Sequence, residues 1–213
     1  MKSVQTKNPF NLILLGDPAS GKGTQATRLA KKYHFYDLDM GQEVKKPAAL
    51  AQYDYEKTTA IGHLTPTAVV RGIFKRVIAA APAQKGILFN GTPKMINEAK
   101  LVARELARAD RTDPLVIYLK IPAAEMFKRA AARRVYVNGK LVKRDDDSIR
   151  GLRNRQKYYK EQITQVVAFF ASRYTVKNIS GMGTQAAVAK KIEAAINDHA
   201  KKLDHGTKNS ARN

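Results

Sequence analysis

The sequence Gly16-Asp17-Pro18-Ala19-Ser20-Gly21-Lys22-Gly23-Thr24-Gln25 follows directly on an apolar run at residues 10–15. A short apolar run that ends at glycines predicts a buried strand and then a turn. The spacing of Gly16, Gly21 and Lys22 fits a phosphate-binding loop, in which backbone N–H groups of small residues surround an anion at a helix N-terminus. We expect Lys22 to add a positive charge for the outer phosphates.

The loop departs from the general pattern at one position. That pattern has Ser or Thr directly after the lysine, where the hydroxyl holds Mg²⁺, but Gly23 stands there and Thr24 comes one residue later. The alternative interpretation is a glycine-rich strand-to-helix turn without a ligand. The strand before the loop, the lysine in its place and an amphipathic segment at residues 24–32 favour a phosphate-binding loop.

Apolar runs alternate with helical patterns along the rest of the chain. The predicted strands are residues 10–15, 35–38, 86–89, 114–121 and 174–179. The first predicted helix ends near residue 33, and the others cover residues 41–44, 67–80, 94–108, 122–134, 145–172 and 185–196. Strands separated by helices predict an α/β fold with a parallel sheet covered on both faces, and ligands then bind outside the carboxyl ends of the strands.

The composition is typical of a globular protein, with 213 residues, 44% hydrophobic residues and no cysteine. The length fits a single domain, and the lack of cysteine excludes disulfides. The histidines show no ligand spacing, and we interpret them as incidental. Without a membrane-length apolar run or a secretion signal, we expect a cytoplasmic protein with no membrane partner. Residues 1–9 are expected to be flexible, and residues 201–213 to form a polar tail.

The net charge is strongly positive, because 39 Lys and Arg outnumber 18 Asp and Glu and leave +21. Such a field attracts nucleotides, RNA or acidic membrane surfaces. The charges are spread along the chain rather than gathered in one block, which is also typical of a merely solvated surface. A polyanion-binding role and a solvated surface therefore both stay open.

These features together resemble the adenylate kinase family of nucleoside monophosphate kinases, whose loop has the form G-x-P-G-x-G-K-G-T-Q and so includes Gly23. The similarity covers residues 11–196. It implies a P-loop NTPase-type five-stranded parallel sheet with helices on both faces, in one kinase domain at residues 10–200. It also implies a small helical monophosphate-binding insertion at about 40–70, a short lid at about 134–144 with a tight turn at Asn138-Gly139, and a monomer.

The resemblance also implies the reaction and its residues: transfer of the γ-phosphoryl group of ATP to a nucleoside monophosphate, with Mg²⁺. Arg129 and Arg133, four residues apart, share one helix face. The residues implied to bind ATP are Gly16, Pro18, Ala19, Ser20, Gly21, Lys22, Gly23, Thr24, Gln25, Arg129 and Arg133. The implied catalytic residues are Lys22, Arg129, Arg133, Arg144 and Arg155. The residues implied to bind the monophosphate are Met40, Gly41, Lys45, Gly91, Lys94, Glu98, Arg144 and Arg155.

The monophosphate side departs from the family pattern at residues that bear on chemistry. Asn90 replaces an aspartate that orients Mg²⁺ through water, so we expect a water-mediated ion near Thr24 and Asn90, with no direct protein ligand and weaker binding. Lys45 and Lys94 replace two arginines that hold the acceptor phosphate. Lysine keeps the positive charge, but it lacks the planar guanidinium with which arginine contacts two phosphate oxygens at once.

Glu98 replaces the glutamine that reads adenine in the family. A carboxylate only accepts hydrogen bonds, so guanine or cytosine, which offer donors, would suit Glu98 better than adenine does. The alternative is that Glu98 is an exposed helical residue and the base is read elsewhere.

Two functions of different classes follow. The first is an active nucleoside monophosphate kinase whose acceptor is AMP or another monophosphate. The second is a catalytically weakened nucleotide-binding protein of the same fold that associates with RNA or a ribonucleoprotein, which the net charge of +21 and the altered acceptor residues would favour. Phosphoryl transfer to a different acceptor is a third possibility.

Overall fold

The fold is given by a computed structural model, which describes residues 9–61, 63–111, 113–137, 140–142, 152–153, 156 and 159–210. Its strands are β1 Leu12–Gly16, β2 Tyr36–Asp39, β3 Ile87–Asn90, β4 Leu115–Lys120, β5 Val135–Val137, β6 Lys140–Val142 and β7 Val176–Ser180. Its α-helices are α1 Lys22–Tyr33, α2 Met40–Glu43, α3 Pro47–Leu50, α4 Thr67–Ala80, α5 Ile96–Arg108, α6 Ala123–Ala132, α7 Thr164–Ala171 and α8 Gln185–Ser210. A 3₁₀ turn covers Thr59–Ile61, and a π-helical turn at Tyr159–Ile163 precedes α7.

The main sheet has five strands in the order β2-β3-β1-β4-β7, and every pairing in it is parallel. The predicted five-stranded parallel sheet with helices is therefore confirmed. Strand β1 lies in the centre, and the chain leaves it for β2 on one side and reaches β4 on the other. The loop after β1 thus lies at the carboxyl edge, at the switch point where sheets of this kind bind ligands.

The central strand is buried on both faces, as its continuous apolar run predicts. Leu12 and Leu14 pack with residues of α1 and α8, whereas Ile13 and Leu15 pack with residues of α4, α5 and α7 on the other face. Because side chains alternate along a strand, this single run supplies both layers of the core and holds the loop that follows it on a rigid base.

Residues 40–66, between β2 and α4, contain the short helices α2 and α3 and the 3₁₀ turn. Strands β5 and β6 pair as an antiparallel hairpin where the sequence predicts a short lid. Asn138-Gly139, where the sequence predicts a tight turn, lies outside the described residues. Among the described helices, none combines the length and apolar character that crossing a bilayer requires.

Several predicted boundaries are wrong by one or two residues, and the end of α8 is wrong by more. Helix α5 begins at Ile96 rather than at residue 94, because Lys94 and Met95 precede it in non-helical backbone and Met95 is its N-cap. Helix α8 continues to Ser210, although the sequence interpretation ends it at residue 196 and places a polar tail from residue 201. Within the predicted helix at 145–172, residues 145–151, 154–155 and 157–158 lie outside the described residues. The π-helical turn at Tyr159–Ile163 and α7 form its final part.

Packing of His199 and Ala200 explains the longer helix. Their exposed fractions are 5% and 2%, and a ring nitrogen of His199 is hydrogen-bonded to the carbonyl of Asp113 at 3.0 Å. The His199 ring also contacts Phe10 at 5.6 Å between centroids. This histidine therefore has a structural role, and the Ala, Lys and Leu residues beyond it are good helix formers.

Candidate active site

The loop between β1 and α1 has the backbone of an anion-binding loop. Ala19 and Gly21 have φ angles of 57° and 91°, in the left-handed region, which turns successive N–H groups toward a common concavity. Gly21 is the N-cap of α1. The partial positive charge of the helix N-terminus therefore adds to the loop N–H groups.

Lys22 lies over this loop. Its ammonium donates to the carbonyl of Asp17 at 2.9 Å and to the carbonyl of Gly16. The side chain of Gln25, which is buried, donates to the carbonyl of Gln185 at 2.9 Å and so joins α1 to α8. The structure thus places the Lys22 ammonium beside the loop backbone. It also shows Gln25 holding α1 against α8.

The sequence interpretation names Ala19 among the ATP-binding residues but misses its backbone conformation, and it misses Asp17 altogether. The family form has glycine at position 19, and the left-handed φ of 57° shows why glycine suits that position. Asp17 accepts a hydrogen bond from the Tyr118 hydroxyl at 2.6 Å and another from the Ile121 N–H at 2.9 Å. In the sequence, the only signs of these two features were the alanine at position 19, where the family form has glycine, and the carboxylate of Asp17 within the loop.

Arg129 reaches the same edge of the sheet from α6. Its guanidinium donates to Glu125 at 2.6 Å and to the carbonyl of Gly181 at 2.9 Å. The Gly181 backbone lies so close to the loop that a Cβ there would be 3.0 Å from the Ser20 carbonyl oxygen. The structure therefore brings Arg129 near the phosphate loop, as the sequence predicts.

The remaining predicted arginines are less fully described. Arg133, which is half-buried, follows the last residue of α6 as its C-cap. Arg144 and Arg155 lie outside the described residues, so their roles stay predictions.

After β2 and β3, where the sequence predicts monophosphate binding, the described residues form two turns. Asp39 is the N-cap of α2 and accepts from the Gly41 N–H at 2.9 Å, and Met40 beside it is buried. Gly91 has a φ of 74°, and Thr92-Pro93 is a cis peptide. Lys94, which follows this turn, is half-buried.

Lys45 and Glu98 differ in exposure. Lys45 is exposed, with its ammonium 5.4 Å from the centre of the Tyr55 ring. Glu98 is only 3% exposed, so the alternative that it is an exposed helical residue is wrong. Its carboxylate accepts from the Lys94 N–H at 2.7 Å, so it bonds the backbone just before Met95, the N-cap of α5. Desolvation by burial raises the pKa of Glu98, against the hydrogen bonds from Lys94 and Met95, which lower it.

The donor set near Asn90 suits a metal ion that is held mainly by substrate and water. Asn90 is 7% exposed at the end of β3, in register with Leu14 on β1 and Asp39 on β2. The described residues contain no group of three or more His, Cys, Asp or Glu that could hold a metal. A hydroxyl at Thr24 and an amide at Asn90 fit Mg²⁺, which keeps several waters and takes phosphate oxygens as ligands.

The chain has well-defined relatives. The family model described as Adenylate kinase matches residues 14–175. An adenylate kinase of Porphyromonas gingivalis is 29% identical over 200 residues, which cover 92% of this chain and 100% of the relative. One of Staphylococcus epidermidis is 28% identical over 222 residues, with 92% and 100% covered. One of Archaeoglobus fulgidus is 27% identical over 212 residues, with 88% and 98% covered.

Proposed function

The chain belongs to the adenylate kinase family and is an ATP-dependent phosphotransferase, and from that premise we propose that it transfers the γ-phosphoryl group of ATP to AMP or another nucleoside monophosphate with Mg²⁺. The observation that carries this proposal is the loop from Gly16 to Lys22, with its left-handed turns at Ala19 and Gly21 and the Lys22 ammonium beside its carbonyls. The comparisons do not support the alternative of a catalytically weakened nucleotide-binding protein.

The donor side of the reaction needs positive charge around the moving phosphoryl group more than it needs a base. The N–H groups of residues 19–24 bind the β- and γ-phosphates of ATP, and Lys22 turns from the loop carbonyls toward the γ-phosphate. Arg129 contacts the transferring group from the Gly181 side of the loop. Arg133, Arg144 and Arg155 complete the positive surface in the family pattern.

Thr24 and Asn90 would hold Mg²⁺ through water. When bound, the ion neutralises charge on the β- and γ-phosphate oxygens. The protein itself contributes orientation here, because Asn90 is fixed at the end of a buried strand while Thr24 lies in the first turn of α1.

The acceptor lies against the turns that follow β2 and β3. Gly41 and Gly91 let the backbone approach it, and Lys45 and Lys94 contact its phosphate as point charges. Glu98, four residues after Lys94 and in the first turn of α5, discriminates between bases in this proposal. We further propose that the protein works as a cytoplasmic monomer.

A panel of acceptors tests the proposal. The purified protein is mixed with ATP, Mg²⁺ and AMP, GMP, CMP or UMP in turn, and diphosphates are separated by ion-exchange chromatography. We expect diphosphate from at least one acceptor, and a loss on the order of 100-fold or more with Lys22→Ala. Lys75→Ala, on the exposed face of α4, serves as the matched control. ATP binding without diphosphate from any acceptor would contradict the proposal.

A further inference from the structure

We propose that Asp17 is a positioning residue that fixes the phosphate loop on the carboxyl end of β4 and thereby sets the affinity for ATP. The inference deepens the proposed function and rests on it, because the loop must bind ATP for its position to matter. It concerns an acidic residue inside a loop that must bind a strongly negative ligand.

Residue 17 is joined to β4 by both its backbone and its side chain. Its N–H donates to the carbonyl of Leu119 at 3.0 Å. Its carboxylate accepts through Oδ1 from the Tyr118 hydroxyl at 2.6 Å and through Oδ2 from the Ile121 N–H at 2.9 Å. Both oxygens are therefore engaged by the strand and its first following residues.

A carboxylate in this loop carries an electrostatic cost. Two negative groups a few ångströms apart repel each other, and the repulsion grows where water is excluded. The hydrogen bonds from Tyr118 and Ile121 delocalise part of the charge of Asp17 and hold its carboxylate against β4. Charge-assisted hydrogen bonds of this kind are stronger than neutral ones, which makes the side chain an effective anchor.

The anchor acts on the phosphate-binding groups through the carbonyl of the same residue. That carbonyl accepts from the Ser20 N–H at 3.1 Å and from the Lys22 ammonium at 2.9 Å. A displacement of Asp17 therefore displaces the loop backbone and the loop cation together.

The end of β4 also supports Arg129. The Gly181 N–H donates to the carbonyl of Lys120 at 2.8 Å, and Arg129 donates to the carbonyl of Gly181 at 2.9 Å. The last residues of β4 are thus a common base for the loop and for the arginine beside it.

The test compares Asp17→Ala, Asp17→Asn and Tyr118→Phe by the Kd for ATP in titration calorimetry. Asp17→Ala removes both side-chain hydrogen bonds, and we expect the Kd to rise about tenfold. Asn can accept from the Ile121 N–H through its oxygen and donate to the Tyr118 hydroxyl through its amide. Asp17→Asn also removes the repulsion between the carboxylate and ATP, so its Kd should be no more than about twofold above the wild-type value.

Tyr118→Phe removes one of the two hydrogen bonds and should raise the Kd for ATP by roughly threefold. Because the two residues act as one unit, the double variant Asp17→Ala/Tyr118→Phe should bind ATP no more weakly than Asp17→Ala alone. In steady-state assays of an active wild type, the KM for ATP should rise in Asp17→Ala while the KM for the monophosphate stays within about twofold.

Asp198→Ala, which removes an exposed carboxylate on α8, controls for net charge and should leave the Kd for ATP unchanged. An Asp17→Ala protein that binds ATP like the wild type would overturn the proposal. An Asp17→Asn protein whose Kd for ATP is as high as that of Asp17→Ala would also overturn it. So would an equal rise, in Asp17→Ala, of the KM for ATP and the KM for the monophosphate. A wild type that binds ATP but forms no diphosphate would instead contradict the proposed function, and calorimetry would still test the anchor.

Discussion

Gly16 and Leu119 are register partners on β1 and β4, and they lie so close that a Cβ on Gly16 would be 2.8 Å from the Cβ and the carbonyl oxygen of Leu119. The same Cβ would be 2.8 Å from the Ser20 Oγ. No side chain fits there without a shift of the loop backbone. We expect Gly16→Ala to lower the free energy of unfolding by about 1–3 kcal/mol and to weaken ATP binding, as measured by denaturant unfolding and calorimetry.

Gly72→Ala provides the matched control for Gly16→Ala. Gly72 lies within α4, where an added Cβ would meet nothing within 4 Å. Alanine there should raise the free energy of unfolding by about 0.5–1 kcal/mol and leave ATP binding unchanged. Equal effects of the two substitutions on either measurement would show that Leu119 does not constrain Gly16.

Ala19 pays a conformational cost in the left-handed region, since its φ is 57°. Ala19→Gly removes that cost of about 1–2 kcal/mol, and the gain is offset by about 0.4–1 kcal/mol through the greater freedom of the unfolded chain. We expect a net stabilisation of about 0.5 kcal/mol, measured by urea unfolding.

Ala19→Val completes that series, because a β-branched residue is a genuine outlier at positive φ. It should destabilise the protein by about 2 kcal/mol or more. Equal stability of the Gly, Ala and Val proteins would mean that residue 19 does not hold this backbone conformation.

Glu98 should make stability depend on pH. Burial raises its pKa in the folded protein, so its favourable contribution is complete below the unfolded pKa and is lost as pH rises through the folded pKa. Gln at this position keeps an acceptor for the Lys94 N–H but does not titrate. The Tm of Glu98→Gln minus the Tm of the wild type should therefore be more positive at about pH 7.5 than at about pH 4.

The control for that measurement is Glu56→Gln, at an exposed position. It should give the same small Tm difference at both pH values. A Glu98→Gln difference in Tm that does not change with pH would mean that the buried carboxylate titrates as it does in water.

The Glu98→Gln variant also tests whether Glu98 reads the base of the acceptor. An order of preference among the monophosphates identical to that of the wild type would exclude Glu98 from that role.

Asn90 should limit the affinity for Mg²⁺. Asn90→Asp places a charged oxygen at the end of β3. We expect this variant to reach half-maximal activity at a Mg²⁺ concentration about 3–10-fold lower than the wild type needs. Asn90→Ala should shift the Mg²⁺ dependence the other way, and an unchanged dependence in both variants would contradict the assignment.

The fold was predictable because its strands are short apolar runs separated by helical patterns. The run at residues 10–15 and the glycines after it indicated a buried strand and a loop, and both are present in β1 and the loop before α1. Strand order was not predicted, since no local pattern says that β1 pairs with both β3 and β4. The extension of α8 depends on His199 packing against residues far away in the sequence.

The loop after β1 was predictable from local spacing, but the distant contacts that support it were not. Tyr118 is 101 residues from Asp17, so only the folded sheet brings the hydroxyl to the carboxylate. The burial of Glu98 was also invisible, because a charged residue in the first turn of a helix is usually solvated. The hydrogen bond from the Lys94 N–H to that carboxylate depends on α5 beginning at Ile96. The sequence predicts a helix that begins at residue 94.

Transfer of labelled phosphate distinguishes a nucleoside monophosphate kinase from an enzyme that only hydrolyses ATP. The protein is incubated with ATP labelled in its γ-phosphoryl group, Mg²⁺ and the preferred monophosphate, and the label is followed chromatographically. We expect the label to appear in the diphosphate of the acceptor, with one ADP formed for each acceptor diphosphate. Label that appears only as inorganic phosphate, with the monophosphate unchanged, would contradict the assignment of this chain as a nucleoside monophosphate kinase.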